Sequence, residues 1–233
     1  MEDFNKFIFP PTETADDDGV LAWGGDVQPE RLKVAYRMGI FPWYSGRVPV
    51  WYAPNPRFVL FPDELKIAKS LRPILNRQKF EVKFNQNFEE VLENCKTIER
   101  EGQEGTWITR PLYKSLVQLH KEKIAVSVES FQNGELVGGL FGELYGDCFF
   151  GESMFSKVSN ASKVAFVTLV FNLKKIGVQI IDCQVYTEYL YSFGARMISR
   201  NEFESYLDVH FEKENKTAFL EKNWQQVKAA NWL

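Results

Sequence analysis

Three adjoining stretches settle the architecture of this chain: Cys148-Phe149-Phe150-Gly151-Glu152-Ser153-Met154-Phe155, then Asn160-Ala161-Ser162-Lys163 running on to Leu173, then Val178-Gln179-Ile180-Ile181-Asp182-Cys183-Gln184. The outer two are apolar, β-rich and bounded by turn residues, which predicts strands. In the middle one Val164, Val167, Thr168 and Phe171 recur at helical spacing, and Phe166, Leu169, Val170 and Leu173 make the helix apolar nearly all round. Such a helix is buried on two sides. Two strands joined by a crossover helix result, with Glu152 and Asp182 near the strand ends. Carboxylates there are costly to desolvate unless paired or used. The place therefore reads either as a crevice that carries chemistry or as two strand-end acids satisfied by backbone or by Ser153.

Upstream, Ile124, Val126 and Val128 alternate, Asn133-Gly134 marks a hairpin turn, and Gly146-Asp147 marks another before Cys148. Three antiparallel strands thus precede the apolar helix. Earlier still, Arg57 to Phe61 reads as a strand, residues 63–72 as a helix broken near Pro73, and Phe80, Val82 and Phe84 as an alternating strand. Asn87 and Glu90 suggest a capping box for a helix carrying Phe88, Val91, Leu92, Cys95 and Ile98, which the charged loop Glu99–Gly105 ends. A second helix follows Trp107-Ile108-Thr109-Arg110-Pro111. After Asp182 come a short helix closed by Gly194, a strand at Arg196 to Ile198, and a helix opened by Ser199 and Glu202.

Residues 1–57 differ in texture, being rich in Pro, Gly and Trp, with one helix begun by Pro29 and ended by Gly39. The expected fold class is α+β. It comprises a small Trp/Pro-rich N-terminal domain over residues 1–57 and an acetyltransferase-like (GNAT-like) domain over residues 58–233 with a mixed, mostly antiparallel sheet. The order strand, strand, strand, helix, strand, helix, strand carries that expectation. Coenzyme A enzymes of that fold bind pyrophosphate through a Gly-rich loop before the central helix. Here the loop Ser156 to Lys163 has no glycine, which argues against coenzyme A.

The chain has 233 residues, 45% hydrophobic and 25% charged, with 20 Phe and 6 Trp, a composition suited to a globular protein with a sizeable core. Its start lacks a basic region followed by an apolar core, and no apolar run is long enough to span a bilayer, so a cytoplasmic location is expected. Three scattered cysteines and two histidines suggest neither a disulfide framework nor a metal cluster. Cys183 beside Asp182 should have a raised pKa and poor reactivity. With a formal charge of -3, nucleic-acid binding cannot be argued from global charge. The densest basic region holds Lys66, Lys69 and Arg72 at three-residue spacing, a stripe suited to phosphates or simply a solvated helix face.

Several motifs, in order, resemble the leucyl/phenylalanyl-tRNA-protein transferase family. They are Gly24-Gly25-Asp26, Tyr36 to Trp43, Asn55-Pro56-Arg57, Glu104 to Thr109, Leu136-Val137-Gly138-Gly139, Gly151 to Ser156, Asn160 to Lys163 and Ile181 to Gln184. The resemblance implies a two-domain enzyme that moves Leu or Phe, and possibly Met, from aminoacyl-tRNA onto proteins beginning with Arg or Lys, marking them for degradation. It implies partners of those two kinds, no membrane, no metal and no cofactor, since an aminoacyl ester is already activated. A monomer is expected. Asp182 and Gln184 take the catalytic place, as base or as positioners of the amine, and Glu152 anchors the cationic N-terminus. On that reading Asp182→Asn should lower transfer by about 100-fold or more while leaving folding little changed. Trp43 and Trp107 border the aminoacyl-adenosine, Tyr36, Leu140, Phe149 and Ile181 form the apolar wall, and Lys66, Lys69 and Arg72 hold tRNA phosphates. The segment Tyr186 to Phe193 departs from the family pattern and introduces Glu188. Two other readings are a non-catalytic aminoacyl-tRNA or degron-binding module, and an acyltransferase using another donor.

Overall fold

A computed structural model describes residues 8–98 and 106–228. The N-terminal Met1–Lys6 and the loop Glu99–Gly105 lie outside them. The first part of the chain forms a three-stranded sheet of β1 (Val20–Trp23), β2 (Phe41–Pro42) and β3 (Val50–Tyr52), ordered β1-β3-β2, with α1 (Pro29–Arg37) between β1 and β2. Pro29 supplies a preset φ at the helix start, and Leu32, Val34, Ala35 and Tyr36 form its buried side.

The main sheet has seven strands: β4 (Arg57–Leu60), β5 (Glu81–Phe84), β6 (Ala125–Gln132), β7 (Glu135–Tyr145), β8 (Cys148–Ser156), β9 (Ile180–Gln184) and β10 (Arg196–Ile198). Their spatial order is β10-β4-β9-β8-β7-β6-β5, and every neighbouring pair is antiparallel except β8 with β9. The expected α+β class with a mixed, mostly antiparallel sheet is what the chain forms. The turns at Asn133-Gly134 and Gly146-Asp147 fall where the sequence predicts them. Asn133, Gly134 and Gly146 all have positive φ.

Helices cover both faces. On one side α1, α3 (Phe88–Thr97), α4 (Arg110–Lys121) and α7 (Arg200–His210) share a core with Phe141, Tyr145 and Phe150. On the other, α5 (Ala161–Lys175) packs with Val137, Leu140, Leu144, Phe149 and Ile181. The all-round apolarity of α5 has a structural reason. The sheet takes one side, and the C-terminal segment after α8 (Thr217–Asn223) crosses the other, where Asn172 Nδ2 donates to the Gln225 carbonyl at 2.8 Å and the Gln225 N–H returns a bond to Asn172 Oδ1 at 3.0 Å. At the near end of α5 a Cβ on Gly138 would stand 2.5 Å from the Ala161 methyl, so the helix start seats directly on β7.

Two sequence expectations are corrected. Residues 63–72 are not a helix: after a short 3-10 turn at Pro62–Glu64 the chain runs extended, and the helix here, α2, spans Arg72–Asn76. Leu65 and Ile67 are half-buried while Asp63, Glu64, Lys66 and Ala68 are exposed, a period of two that satisfies the core better than a helical stripe would. The Lys66 N–H donates to the Phe193 carbonyl at 2.8 Å, which ties the segment down as an extended strap. At the start of α3, Asn87 does not cap through its side chain; its Nδ2 donates to Glu90 at 2.9 Å instead. The Ser199 cap of α7 forms as expected, accepting from the Glu202 N–H.

Candidate active site

Strands β8 and β9 pair from Cys148–Phe150 against Ile180–Asp182, and β8 then continues alone to Ser156. Beyond the last pair the strands part and a cavity of about 450 Å³ opens between them. The same point on the other edge of β8 carries a bulge. Register with β7 passes from Phe141↔Ser153 to Gly142↔Gly151, so Glu152 has no partner across the ladder. Bulges re-aim a side chain, and this one turns Glu152 into the crevice. The facing residue must be small, because a Cβ on Gly142 would lie 2.1 Å from the Phe150 carbonyl oxygen.

Glu152 Oε1 accepts two hydrogen bonds, from Tyr36 Oη at 2.8 Å and from Gln184 Nε2 at 2.8 Å. Burial pushes its carboxyl up to about 7, and the Asp182 charge adds to that, while the bonds from Tyr36, Glu143 and Gln184 act in the opposite direction. Asp182 is otherwise engaged. Arg57 grips it at two points, Nε to Oδ1 at 2.9 Å and Nη2 to Oδ2 at 2.6 Å, and Oδ1 also accepts the Gln184 backbone N–H at 2.8 Å. Gln184 has φ +64°, a left-handed conformation that a non-glycine residue keeps only when its surroundings hold it. Asp182 holds it there, and the turned backbone delivers the Gln184 amide to Glu152. Arg57–Asp182–Gln184–Glu152–Tyr36 is thus one continuous polar chain beside an apolar cavity.

Of the residues predicted from sequence, Trp43, Trp107, Leu140, Phe149, Glu152, Ile181, Asp182 and Gln184 all border this cavity. Trp43 is 44% exposed at the mouth, whereas Trp107 is largely buried. Tyr36 does not border it. Its ring packs in the core against Tyr145 and Phe150, and its hydroxyl supports Glu152 from behind, so it is a hydrogen-bond donor and not part of the wall. Lys66, Lys69 and Arg72 are all exposed, but on an extended segment and the start of α2, so they do not form one helical stripe. Lys66 lies beside Gly194, just past α6 (Glu188–Tyr191). Tyr189 and Leu190 of that helix border the cavity, while Glu188 is exposed in its first turn and accepts from Tyr186 Oη at 2.8 Å.

Burial, with Asp182 adding to it, pushes the Cys183 thiol far up, so it is no nucleophile. Among the described residues no group of three or more His, Cys, Asp or Glu side chains gathers as metal ligands would, and no helix is long and apolar enough to cross a membrane.

Two residues behind the site escape sequence reading. Arg57 reads in the sequence as the head of an apolar strand and the end of the motif Asn55-Pro56-Arg57, with nothing to mark it as the partner of Asp182. Its guanidinium lies between the rings of Phe41 and Phe203, 4.7 Å from each centroid, a setting assembled from three distant parts of the chain. Glu143 is the lone acid within the apolar middle of β7, at the same parity as Phe141 and Tyr145, and it is fully buried. That misplaced charge was the one available signal.

A family model described as leucyl/phenylalanyl-tRNA protein transferase matches residues 59–208, and one described as its N-terminal domain matches residues 25–55. The chain is 55% identical over 205 residues to a Flavobacterium johnsoniae protein named leucyl/phenylalanyl-tRNA–protein transferase, covering 88% of this chain and 97% of that one. Proteins of the same name from Christiangramia forsetii and Pseudomonas aeruginosa strain LESB58 are 55% and 52% identical, covering 85% and 86% of this chain and 95% and 90% of theirs.

Proposed function

This chain belongs to the leucyl/phenylalanyl-tRNA–protein transferase family, and on that premise we infer that the crevice between β8 and β9 is where aminoacyl ester and acceptor amine meet. The protein is an aminoacyltransferase. It moves Leu or Phe from aminoacyl-tRNA to the N-terminal α-amino group of proteins that begin with Arg or Lys.

The chemistry is balanced without an external energy source. The acceptor ammonium, with a reference pKa of roughly 7.7 to 8.0, gives up a proton, and its lone pair then attacks the ester carbonyl carbon. A C–N bond forms, the bond to the ribose oxygen breaks, and that oxygen leaves with a proton. Glu152 supplies the negative charge that attracts a cationic acceptor, and a carboxyl titrating near 7 is matched to accept the amine proton. Asp182, with both oxygens held by Arg57, positions Gln184 instead of receiving the proton. Leu140, Phe149 and Ile181 offer an apolar seat for the Leu or Phe side chain, and Trp43 and Trp107 offer flat faces to the terminal adenosine.

Other parts of the reading rest on topology and exposure. Antiparallel β6, β7 and β8, followed by α5 and a parallel β9 that splays from β8, support an acetyltransferase-like (GNAT-like) domain over residues 58–233, joined to a small N-terminal domain over residues 1–57. Lys66, Lys69 and Arg72 would hold tRNA phosphates, with the protein acting in the cytoplasm as a monomer.

The observation that carries the proposal is the Glu152 carboxylate held by two donors on one oxygen at the edge of an apolar cavity. Single-turnover transfer from Leu-, Phe- and Met-tRNA to peptides beginning with Arg, Lys or Asp tests it. Leu and Phe should pass to the Arg and Lys peptides. Equal transfer to the Asp peptide would remove Glu152 from acceptor recognition.

A further inference from the structure

Glu143 is fully buried, and neither of its carboxyl oxygens meets an N–H or O–H donor among the described residues. Its polar neighbour is the carboxyl of Glu152. The geometry places them on one side of the sheet: Tyr36, which donates to Glu152, packs its ring on Tyr145 and on Phe150, the register partner of Glu143. Neighbouring carboxyls share a hydrogen bond only when one of them carries a proton, and burial opposes ionising both. Which one holds the proton follows from the remaining partners. Glu152 Oε1 already accepts from Tyr36 and Gln184 and the residue is partly open to the crevice, whereas Glu143 is sealed and has no other partner. The anion belongs on Glu152.

We propose that Glu143 is a positioning residue of the transfer reaction, a neutral carboxylic acid that donates its proton in a hydrogen bond to Glu152, so that the pair presents one negative charge to the acceptor amine. The assignment rests on the crevice being the transfer site. It gives Glu152 three donors: Tyr36 from α1, Gln184 from β9 and Glu143 from β7. The other titratable groups facing the pair are Tyr36, already counted as a donor, Tyr145, whose hydroxyl is buried with no hydrogen-bond partner among the described residues, and Asp182, which Arg57 neutralises; Glu122 at the end of α4 acts on Tyr145. Tyr145 keeps its phenol proton but makes no hydrogen bond to either carboxyl, so the proton between the two carboxyls is left to Glu143. Burial and the neighbouring Glu152 hold Glu143 well above the usual carboxylate range, in keeping with the assignment.

The test compares wild type with Glu143→Leu and Glu143→Gln in the full-length protein. The first readout is the pH profile of single-turnover Phe transfer to an Arg-initiated peptide. Leu removes the donor, so Glu152 ionises less readily and the acid limb should move up by about 1 to 2 pH units, the worth of one hydrogen bond to a charged group. Gln restores a neutral donor and should bring the limb back to within about 0.3 unit of wild type. A Gln profile displaced as far as that of Leu, or two unmoved profiles, overturns the positioning role. The second readout needs no transfer. A protonated-carboxyl C=O band in the infrared spectrum at pH 8 should be present in wild type and absent from Glu143→Gln. Absence of that band in wild type overturns the protonation itself. A band that behaves as expected beside unmoved profiles keeps the neutral Glu143 but sinks the reading of the crevice as the place of proton transfer.

Discussion

Arg57 and Asp182 form a two-point ion pair between β4 and β9, with Nε to Oδ1 at 2.9 Å, Nη2 to Oδ2 at 2.6 Å and each side chain 1% exposed. The guanidinium is also enclosed between Phe41 and Phe203, so water reaches neither charge. A carboxylate in that position organises the site by holding the Gln184 backbone, and it is part of the core that supports the crevice.

Asp182→Asn therefore does more than disable a catalytic group. Leaving Arg57 buried and uncompensated costs about 3 to 5 kcal/mol, contrary to the expectation from sequence that folding would be little changed. Urea unfolding should show a lower midpoint with the slope preserved. Arg57→Lys should also be destabilised, because a single ammonium cannot reproduce the paired bonds. An Asp182→Asn protein with wild-type stability and lost transfer would restore Asp182 as a group facing substrate.

Glu152→Gln leaves the fold in place and removes the anion. If Glu152 takes the amine proton, the maximal rate should fall by about 10²- to 10⁴-fold. The sign of the pH effect is set by a carboxyl titrating at about 7: wild-type transfer rises as pH climbs through that value. In the variant the acid limb that remains should follow only the acceptor amine, at roughly 7.7 to 8.0. A mere rise in the peptide concentration needed, with the maximal rate kept, would make Glu152 an anchor only.

The sequence made the scaffold legible because its signals were local. Hairpin turns at Asn133-Gly134 and Gly146-Asp147, the alternation in β6 and the apolar face of α3 each depend on residues close in the chain. Glu152 and Asp182 were legible as acids at the ends of apolar runs. Their pairing was not: Tyr36 read as part of the apolar wall and Arg57 as the end of a motif, and both, like Glu143, reach the acids from other elements. The extended segment at Leu65–Ala68 shows the opposite failure. Basic residues at three-residue spacing suggested a helix, but the half-buried Leu65 and Ile67 and the Lys66 bond to Phe193 won.

Replacing Lys66, Lys69 and Arg72 together by Ala should weaken tRNA binding and flatten its dependence on salt. Each lost phosphate contact removes about 0.7 to 0.9 from the slope of log K against log salt. Transfer from a short aminoacyl-adenosine donor should hold, since all three side chains are exposed and none borders the cavity. Equal loss with both donors would assign these residues to the fold instead of the tRNA.

Glu143→Gln makes the last prediction, one of stability and not of rate. Glu143 keeps its proton in the folded state well above the usual carboxylate range, because burial and the Glu152 charge both oppose ionisation. The unfolded chain releases that proton near the reference value of about 4.3. Above that pH the folded state binds one more proton than the unfolded state, so wild-type stability declines by about 1.4 kcal/mol for each unit of rising pH, until the folded group itself ionises. Gln cannot titrate and keeps the donated bond to Glu152, whose own titration then cancels between the two proteins. The variant should match wild type near pH 4 and exceed it by about 3 to 4 kcal/mol at pH 7, read from urea midpoints across that range. A difference that stays flat with pH would mean that Glu143 titrates alike in both states and holds no proton for Glu152.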